Sequence, residues 1–122
     1  MVANASNEAV GGYYGQGQDY KMMRPAGFHS RALNLDEHNY LTHDKEMLAI
    51  INCLKKWEPI LMGMRFEILT DHAPLMYWKT QKDLSPQQIR WNEILARFDT
   101  DIKHIPSISN SAADALSCYP YA

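Results

Sequence analysis

The chain has 122 residues, of which 46% are hydrophobic and 11% aromatic, enough for one ordinary core and hardly for two. We therefore expect a single domain over residues 1–122. A formal net charge of −2 excludes the general basic excess of proteins that bind nucleic acid by phosphate neutralisation alone, so any such binding needs a local basic patch.

The first third of the chain predicts three β-strands. Glycines recur there among Val, Tyr, Phe and Met, a mixture that is typical of short strands joined by turns. We place the strands near residues 1–6, 9–16 and 20–29, with a turn at 15–19. Pro25 lacks a backbone N–H and so restricts the third segment to a sheet edge or a bulge.

The middle of the chain predicts a helix followed by a strand. From Thr42, apolar residues recur at steps of three and four and predict a helix that ends at Pro59. Residues 64–68 then alternate between apolar and charged side chains, which is the period of a half-buried strand. This strand closes on Thr70, so that Asp71 lies at its end.

The last third begins with a well-marked helix start. Ser85 has the character of an N-cap, a proline follows it, and Gln88 completes a capping box. Trp91 belongs to the apolar stripe of this helix and is predicted to lie in the core. A short strand at 100–105 and a helix from about Ser111 complete the order.

The cysteine pattern and the hydropathy exclude two further classes of protein. Cys53 and Cys118 have no CxxC or Cys/His metal spacing, which argues against zinc and favours free thiols in a reducing compartment. There is no run of about 18 apolar residues and no order typical of a signal peptide. We therefore expect an intracellular protein without membrane contact.

Three carboxylates stand out by their positions. Glu46 borders the apolar face of its helix, Asp71 ends a strand, and Asp114 lies in a run of small residues that allows close packing. Each also has a structural explanation: a first-turn acid for Glu46 and Asp114, and a helix N-cap for Asp71. Taken singly, the three signals favour the structural explanation.

Together with their surroundings, these acids fit a family pattern. The segment from 28 to 117 resembles the ribonuclease H region of gypsy-type LTR retrotransposons (Metaviridae). The matching runs are FHSRAL at 28–33, NYLTHDKEMLAI at 39–50, ILTDHAPL at 68–75, QQIRWNEILARFD at 87–99 and NSAADALS at 110–117.

The resemblance implies an α/β ribonuclease H-like fold, a five-stranded mixed sheet flanked by helices, excised from a larger polyprotein. It also implies an active site of four acids. Three of them fall on Glu46, Asp71 and Asp114, whereas the first falls on Asn4, where relatives have aspartate followed by Ala-Ser. His72 and His104 are assisting candidates, each with a structural role as the alternative.

The implied activity is hydrolysis of the RNA strand of RNA/DNA hybrids by two Mg²⁺ ions, for which Mn²⁺ can substitute. Carboxylate oxygens are the ligands that magnesium prefers. Arg90 and Arg97 are candidate hybrid contacts. The implied partners are the hybrid and the reverse transcriptase domain of the same polyprotein, with no membrane, and the implied location is a cytoplasmic virus-like particle.

Asn4 leaves two hypotheses open. An amide offers one neutral carbonyl oxygen where an aspartate offers two charged ones, so metal binding and cleavage are expected to be impaired. The chain is then either a weakened endoribonuclease or a catalytically inactive structural or hybrid-binding module. A designed substitution, a decayed element copy and a retained structural role all remain compatible with Asn4.

Overall fold

The computed structural model describes residues 1–16, 24–72, 74–75, 78 and 83–105. The helix predicted from Ser111 and most of the turn predicted at 15–19 lie outside the described residues. In chain order, the described elements are β1 Val2–Ala5, β2 Ala9–Gln16, β3 Arg24–Ala32, α1 Leu35–His38, α2 Thr42–Lys56, α3 Glu58–Leu61, β4 Arg65–Thr70, α4 Pro86–Leu95 and β5 Asp99–His104.

The strands form one mixed sheet in the order β3-β2-β1-β4-β5. The pairs β1–β2 and β2–β3 are antiparallel, whereas β1–β4 and β4–β5 are parallel. Val2 pairs with Leu69 across β1 and β4, and Thr70 pairs with His104 across β4 and β5. The carboxyl ends of β1, β4 and β5 therefore lie at the same edge of the sheet, and the expected five-stranded mixed architecture is confirmed.

The third strand lies at the edge of the sheet, as Pro25 required. Its pairing with β2 shifts register between Tyr14 and Gly15, opposite the proline, so the predicted irregularity is present. The predicted bounds of 20–29 were wrong, because the strand continues to Ala32, which pairs with Ala9. Pairing with β2 extends the strand beyond the local glycine and proline signals.

The core is built mainly between the sheet and α2, which packs against β1 and β2. At the closest approach, a Cβ added to Gly12 would lie 2.6 Å from Cys53 Sγ and 2.6 Å from the Val2 carbonyl oxygen. A glycine is therefore needed where the helix crosses the sheet. Trp91 on α4 is 6% exposed and belongs to this core, which confirms its predicted position.

The two predicted helices that fall within the described residues are present, with one correction at Pro59. Helix α2 ends at Lys56, and Pro59 lies in the first turn of the separate short helix α3 instead of ending α2. A proline is tolerated there because first-turn N–H groups have no intrahelical acceptor. At the start of α4, Ser85 accepts a hydrogen bond from the Gln88 backbone N–H and forms the predicted capping box.

Polar contacts hold α2 in place from two sides. Gln88 at the start of α4 donates a hydrogen bond of 2.8 Å to Asp44 in the first turn of α2. On the other side, Arg31 of β3 donates to Asn52 of α2 and makes a bidentate pair with Glu37. The first bond joins the N-terminal turn of α2 to α4, and the bond to Asn52 joins the C-terminal half of α2 to the sheet. Among the described helices, none has the length and apolar character needed to span a membrane.

Candidate active site

Asn4 and Asp71 both lie at the carboxyl edge of the sheet, Asn4 near the end of β1 and Asp71 directly after β4. The register that pairs Val2 with Leu69 brings the residues two positions further along, Asn4 and Asp71, to the same level of the two parallel strands. Asn4 is 4% exposed, and Asp71, which directly follows the last residue of β4, is half-buried. Both predicted site residues therefore belong to neighbouring strands or to the residue that follows one, at the same edge of the sheet.

The carboxamide of Asn4 is oriented by a hydrogen bond from the backbone of the next residue. Its Oδ1 accepts a hydrogen bond of 2.9 Å from the Ala5 backbone N–H. The other branch of the carboxamide is an NH₂ group, which can donate but cannot bind a cation. An aspartate in the same orientation would keep the bond to Ala5 and present a second, charged oxygen instead of this donor.

Glu46 lies on α2 near the end of the helix that approaches the end of β4. The ring centroids of His43, in the first turn of α2, and His72, which follows Asp71, are 5.7 Å apart. Glu46 is three residues after His43 and so lies on the same side of the helix. It is 7% exposed, which makes it one of the few buried charged residues described. We refer to Asn4, Glu46 and Asp71 as the candidate site.

His72 is held beside the candidate site in a partly apolar setting. Its backbone N–H donates to Thr70 Oγ1 at 3.2 Å. Burial lowers the pKa of the His72 imidazole below its ordinary value, and the positive charge of His43 lowers it further, while Asp71 acts in the opposite direction. The uncharged imidazole is therefore favoured near neutral pH.

The remaining predicted residues differ in how close they lie to this edge of the sheet. His104 is exposed at the end of β5, opposite Thr70, and so lies at the same edge of the sheet. Arg90 is exposed on α4, two residues after the Gln88 contact to α2. Arg97 lines a cavity together with Lys55 near the other end of α2, away from Glu46. Asp114 lies outside the described residues.

A metal ion at the candidate site would be bound by oxygen. Two carboxylates and one amide carbonyl are the ligand types that Mg²⁺ accepts, and magnesium usually retains several waters. Among the described residues, no group of three or more His, Cys, Asp or Glu side chains has the geometry of a metal site. Since Asn4 is not an acid and Asp114 is not described, only two of the predicted carboxylates are available for such a group.

A family described as the RNase H-like domain found in reverse transcriptase matches residues 1–98. The chain belongs to this family. As an RNase H-like domain of reverse transcriptase, it carries Asn4, Glu46 and Asp71 within the matched residues, whereas His104 and Asp114 lie beyond them. The ribonuclease H family expected from the sequence motifs is thereby confirmed.

Relatives of this RNase H-like domain are retrotransposon polyproteins. The chain is 36% identical over 121 residues to the retrovirus-related Pol polyprotein from transposon opus of Drosophila melanogaster, covering 98% of the chain and 12% of the relative. It is 37% identical over 122 residues to the transposon Tf2-3 polyprotein of Schizosaccharomyces pombe, covering 96% of the chain and 9% of that relative. The chain spans about a tenth of the length of these relatives.

Solved structures share the fold of this RNase H-like domain. RNase H1 from Halobacterium salinarum matches with a TM-score of 0.74 and 21% identity, covering 98% of this chain and 93% of that one. LC11-RNase H1, solved in complex with an RNA/DNA hybrid, matches with a TM-score of 0.70 and 17% identity, covering 94% and 90%. At these identities the likeness confirms the fold.

Proposed function

We propose that this chain is an endoribonuclease domain that hydrolyses the RNA strand of RNA/DNA hybrids with two Mg²⁺ ions, and that Asn4 impairs its activity. What supports the proposal is that Asn4 lies on β1 and Asp71 directly follows the neighbouring parallel strand β4, while the buried Glu46 lies three residues after His43, whose ring approaches His72.

The residues of the candidate site have separable roles. Glu46 and Asp71 would hold the ions from two elements, a helix and a strand, and Asp114 would complete the carboxylate set as the resemblance implies. When bound, two divalent ions supply an activated water, a stabilised leaving oxygen and neutralisation of phosphate charge. Asn4 would contribute only the carbonyl oxygen that already accepts from Ala5, so it would hold the ions weakly.

Residues around the candidate site would position the substrate. His72 and His104 lie at the same edge of the sheet and are proposed to assist there, His72 as an uncharged imidazole. Arg90 is the better placed of the two arginines for a phosphate contact, because α4 is joined to the first turn of α2 through Gln88. Arg97, at the far end of α2, would contact only a longer hybrid.

The biological setting follows from the relatives. LC11-RNase H1 binds an RNA/DNA hybrid in its solved structure. We propose that the hybrid is the substrate here too, and that it is delivered by the reverse transcriptase domain of the same polyprotein. A gypsy-type element and a cytoplasmic virus-like particle are proposed on the matching motifs, with Mn²⁺ as an alternative ion.

One observation favours a second candidate function. Asn4 offers an NH₂ donor where an aspartate would offer a second, charged oxygen, which is the change that would abolish ion binding while preserving the fold. The chain would then be a catalytically inactive module that packs on a polymerase or holds hybrid. A cleavage assay distinguishes the two functions. The endoribonuclease would cut the RNA strand in the presence of divalent ions, whereas the inactive module would not cut it with or without them.

The test follows a labelled RNA strand annealed to DNA, with the parent chain and Asn4→Asp compared in Mg²⁺ and in Mn²⁺. We expect Asn4→Asp to cleave at least about a hundredfold faster, because a positioned charged group of this kind is typically worth about 10²–10³ in rate. The control Asn4→Asp/Asp71→Asn should be inactive. Equal rates for the parent and Asn4→Asp would show that Asn4 is not at a metal-ligand position.

A further inference from the structure

Two histidines that are far apart in the sequence meet beside the candidate site. His43 lies in the first turn of α2 and His72 follows β4, and their ring centroids are 5.7 Å apart with an angle of 60° between the rings. The His43 ring also stacks on Trp78 at 5.2 Å, which fixes its position from the other side. We call His43 and His72 the histidine pair.

One ring nitrogen of the histidine pair is buried, and no described residue bonds to it. His43 Nε2 is inaccessible to solvent and, within the described part of the chain, has no hydrogen-bond partner. Buried polar atoms are nearly always satisfied, so an unsatisfied ring nitrogen beside a second imidazole calls for an explanation. A ligand that accepts a nitrogen lone pair would supply it.

The spacing of the histidine pair suits a metal ion shared by both rings. An ion bound to one nitrogen of each ring at about 2.1 Å would place the ring centroids roughly 5–6.5 Å apart. Imidazole is a ligand for Zn²⁺, Ni²⁺ and Cu²⁺, whereas Mg²⁺ prefers oxygen. We propose that His43 and His72 form a two-histidine site for a transition-metal ion of this class, separate from the oxygen ligands of the candidate site.

The probe is Ni²⁺, titrated calorimetrically into the full chain at pH 7.5 without chelator, with tryptophan fluorescence recorded in parallel because Trp78 stacks on His43. We expect His43→Gln and His72→Gln each to weaken Ni²⁺ binding at least tenfold. Each should also reduce the quenching of tryptophan fluorescence by Ni²⁺. His38→Gln is the matched control, since His38 is exposed on α1, and should bind within twofold of the parent.

Several outcomes would overturn the proposal. The proposal fails if His72→Gln binds Ni²⁺ within threefold of the parent's affinity. It also fails if His38→Gln loses as much Ni²⁺ affinity as the variants of the histidine pair. A loss confined to His104→Gln would assign the ion to β5 instead. If His43→Gln fails to fold because Trp78 loses its neighbour, then His72→Gln decides alone. Asp71→Asn should leave Ni²⁺ binding unchanged, and loss of binding there would show that the ion uses the candidate site.

Discussion

Replacing Gly12 with alanine tests the packing that brings the elements of the candidate site together. Gly12 lies on β2 opposite Ala3, one position from the level of Asn4, and faces Cys53 on α2. An added methyl would lie 2.6 Å from Cys53 Sγ and 2.6 Å from the Val2 carbonyl oxygen. Both distances are well inside van der Waals contact, so the helix and the sheet must separate.

The size of the expected loss in stability depends on whether the atoms that the added methyl meets can move. Overpacking a core typically costs about 1–3 kcal/mol, and the upper part of this range is expected because one of the two contacts is a backbone carbonyl inside the sheet. Gly27→Ala is the matched control. There the added Cβ would meet the ring of Tyr14, whose side chain can rotate, so the loss should be smaller.

The assay is urea unfolding followed by circular dichroism, with the free energy of unfolding compared at equal m-value. The double variant Gly12→Ala/Cys53→Ala removes the sulfur but leaves the Val2 carbonyl. Its loss in free energy of unfolding should therefore be smaller than the sum of the losses in the two single variants, but it should not vanish. A Gly12→Ala protein with the parent's midpoint would refute the close approach of α2 to β2. The positions inferred for Asn4 and Glu46 depend on this close approach and would then be wrong as well.

Two further predictions concern ionisable groups of the core. In the free 122-residue chain, the N-terminal amine of Met1 is buried and donates to the Glu67 carbonyl, and burial lowers its pKa to about 6 from 8.0. Protonation therefore opposes folding, and the free energy of unfolding should rise between about pH 6 and pH 8 by up to about 3 kcal/mol. Urea unfolding checks this, and the rise should shrink after N-terminal acetylation; a pH dependence that acetylation leaves unchanged would count against the buried amine. Burial raises the pKa of the Cys53 thiol to about 12. In a Cys118→Ser background, Cys53 should therefore resist a thiol reagent until urea unfolds the chain, and rapid labelling of the folded protein would contradict its burial.

Local signals in the sequence were sufficient where each acts within one element. The capping box at Ser85 predicted the start of α4, and the stripe through Trp91 predicted its buried face. The three-and-four period predicted α2 but extended it to Pro59, because periodicity cannot distinguish a single helix from two consecutive ones. Strand β3 was misplaced because its length is set by pairing with β2, which no local pattern encodes.

The candidate site was predictable only in part for the same reason. Motif order assigned Asn4, Glu46 and Asp71, and the sheet register then placed Asn4 beside Asp71. The contact of His43 with His72 was missed, since neither has a metal-ligand spacing in the sequence and only the packing of α2 against the end of β4 joins them. A helix-start histidine three residues before a buried acid was the one available signal.

The most direct measurement of the central claim is calorimetric titration with Mn²⁺ of three proteins: the parent, Asn4→Asp and Asn4→Asp/Asp71→Asn. If Asn4 occupies a metal-ligand position beside Asp71, then Asn4→Asp should bind Mn²⁺ at least tenfold more tightly than the parent. The double variant should lose that gain. Indistinguishable binding by the parent and Asn4→Asp would contradict the claim, because a second charged oxygen at this position would then have no ion to hold.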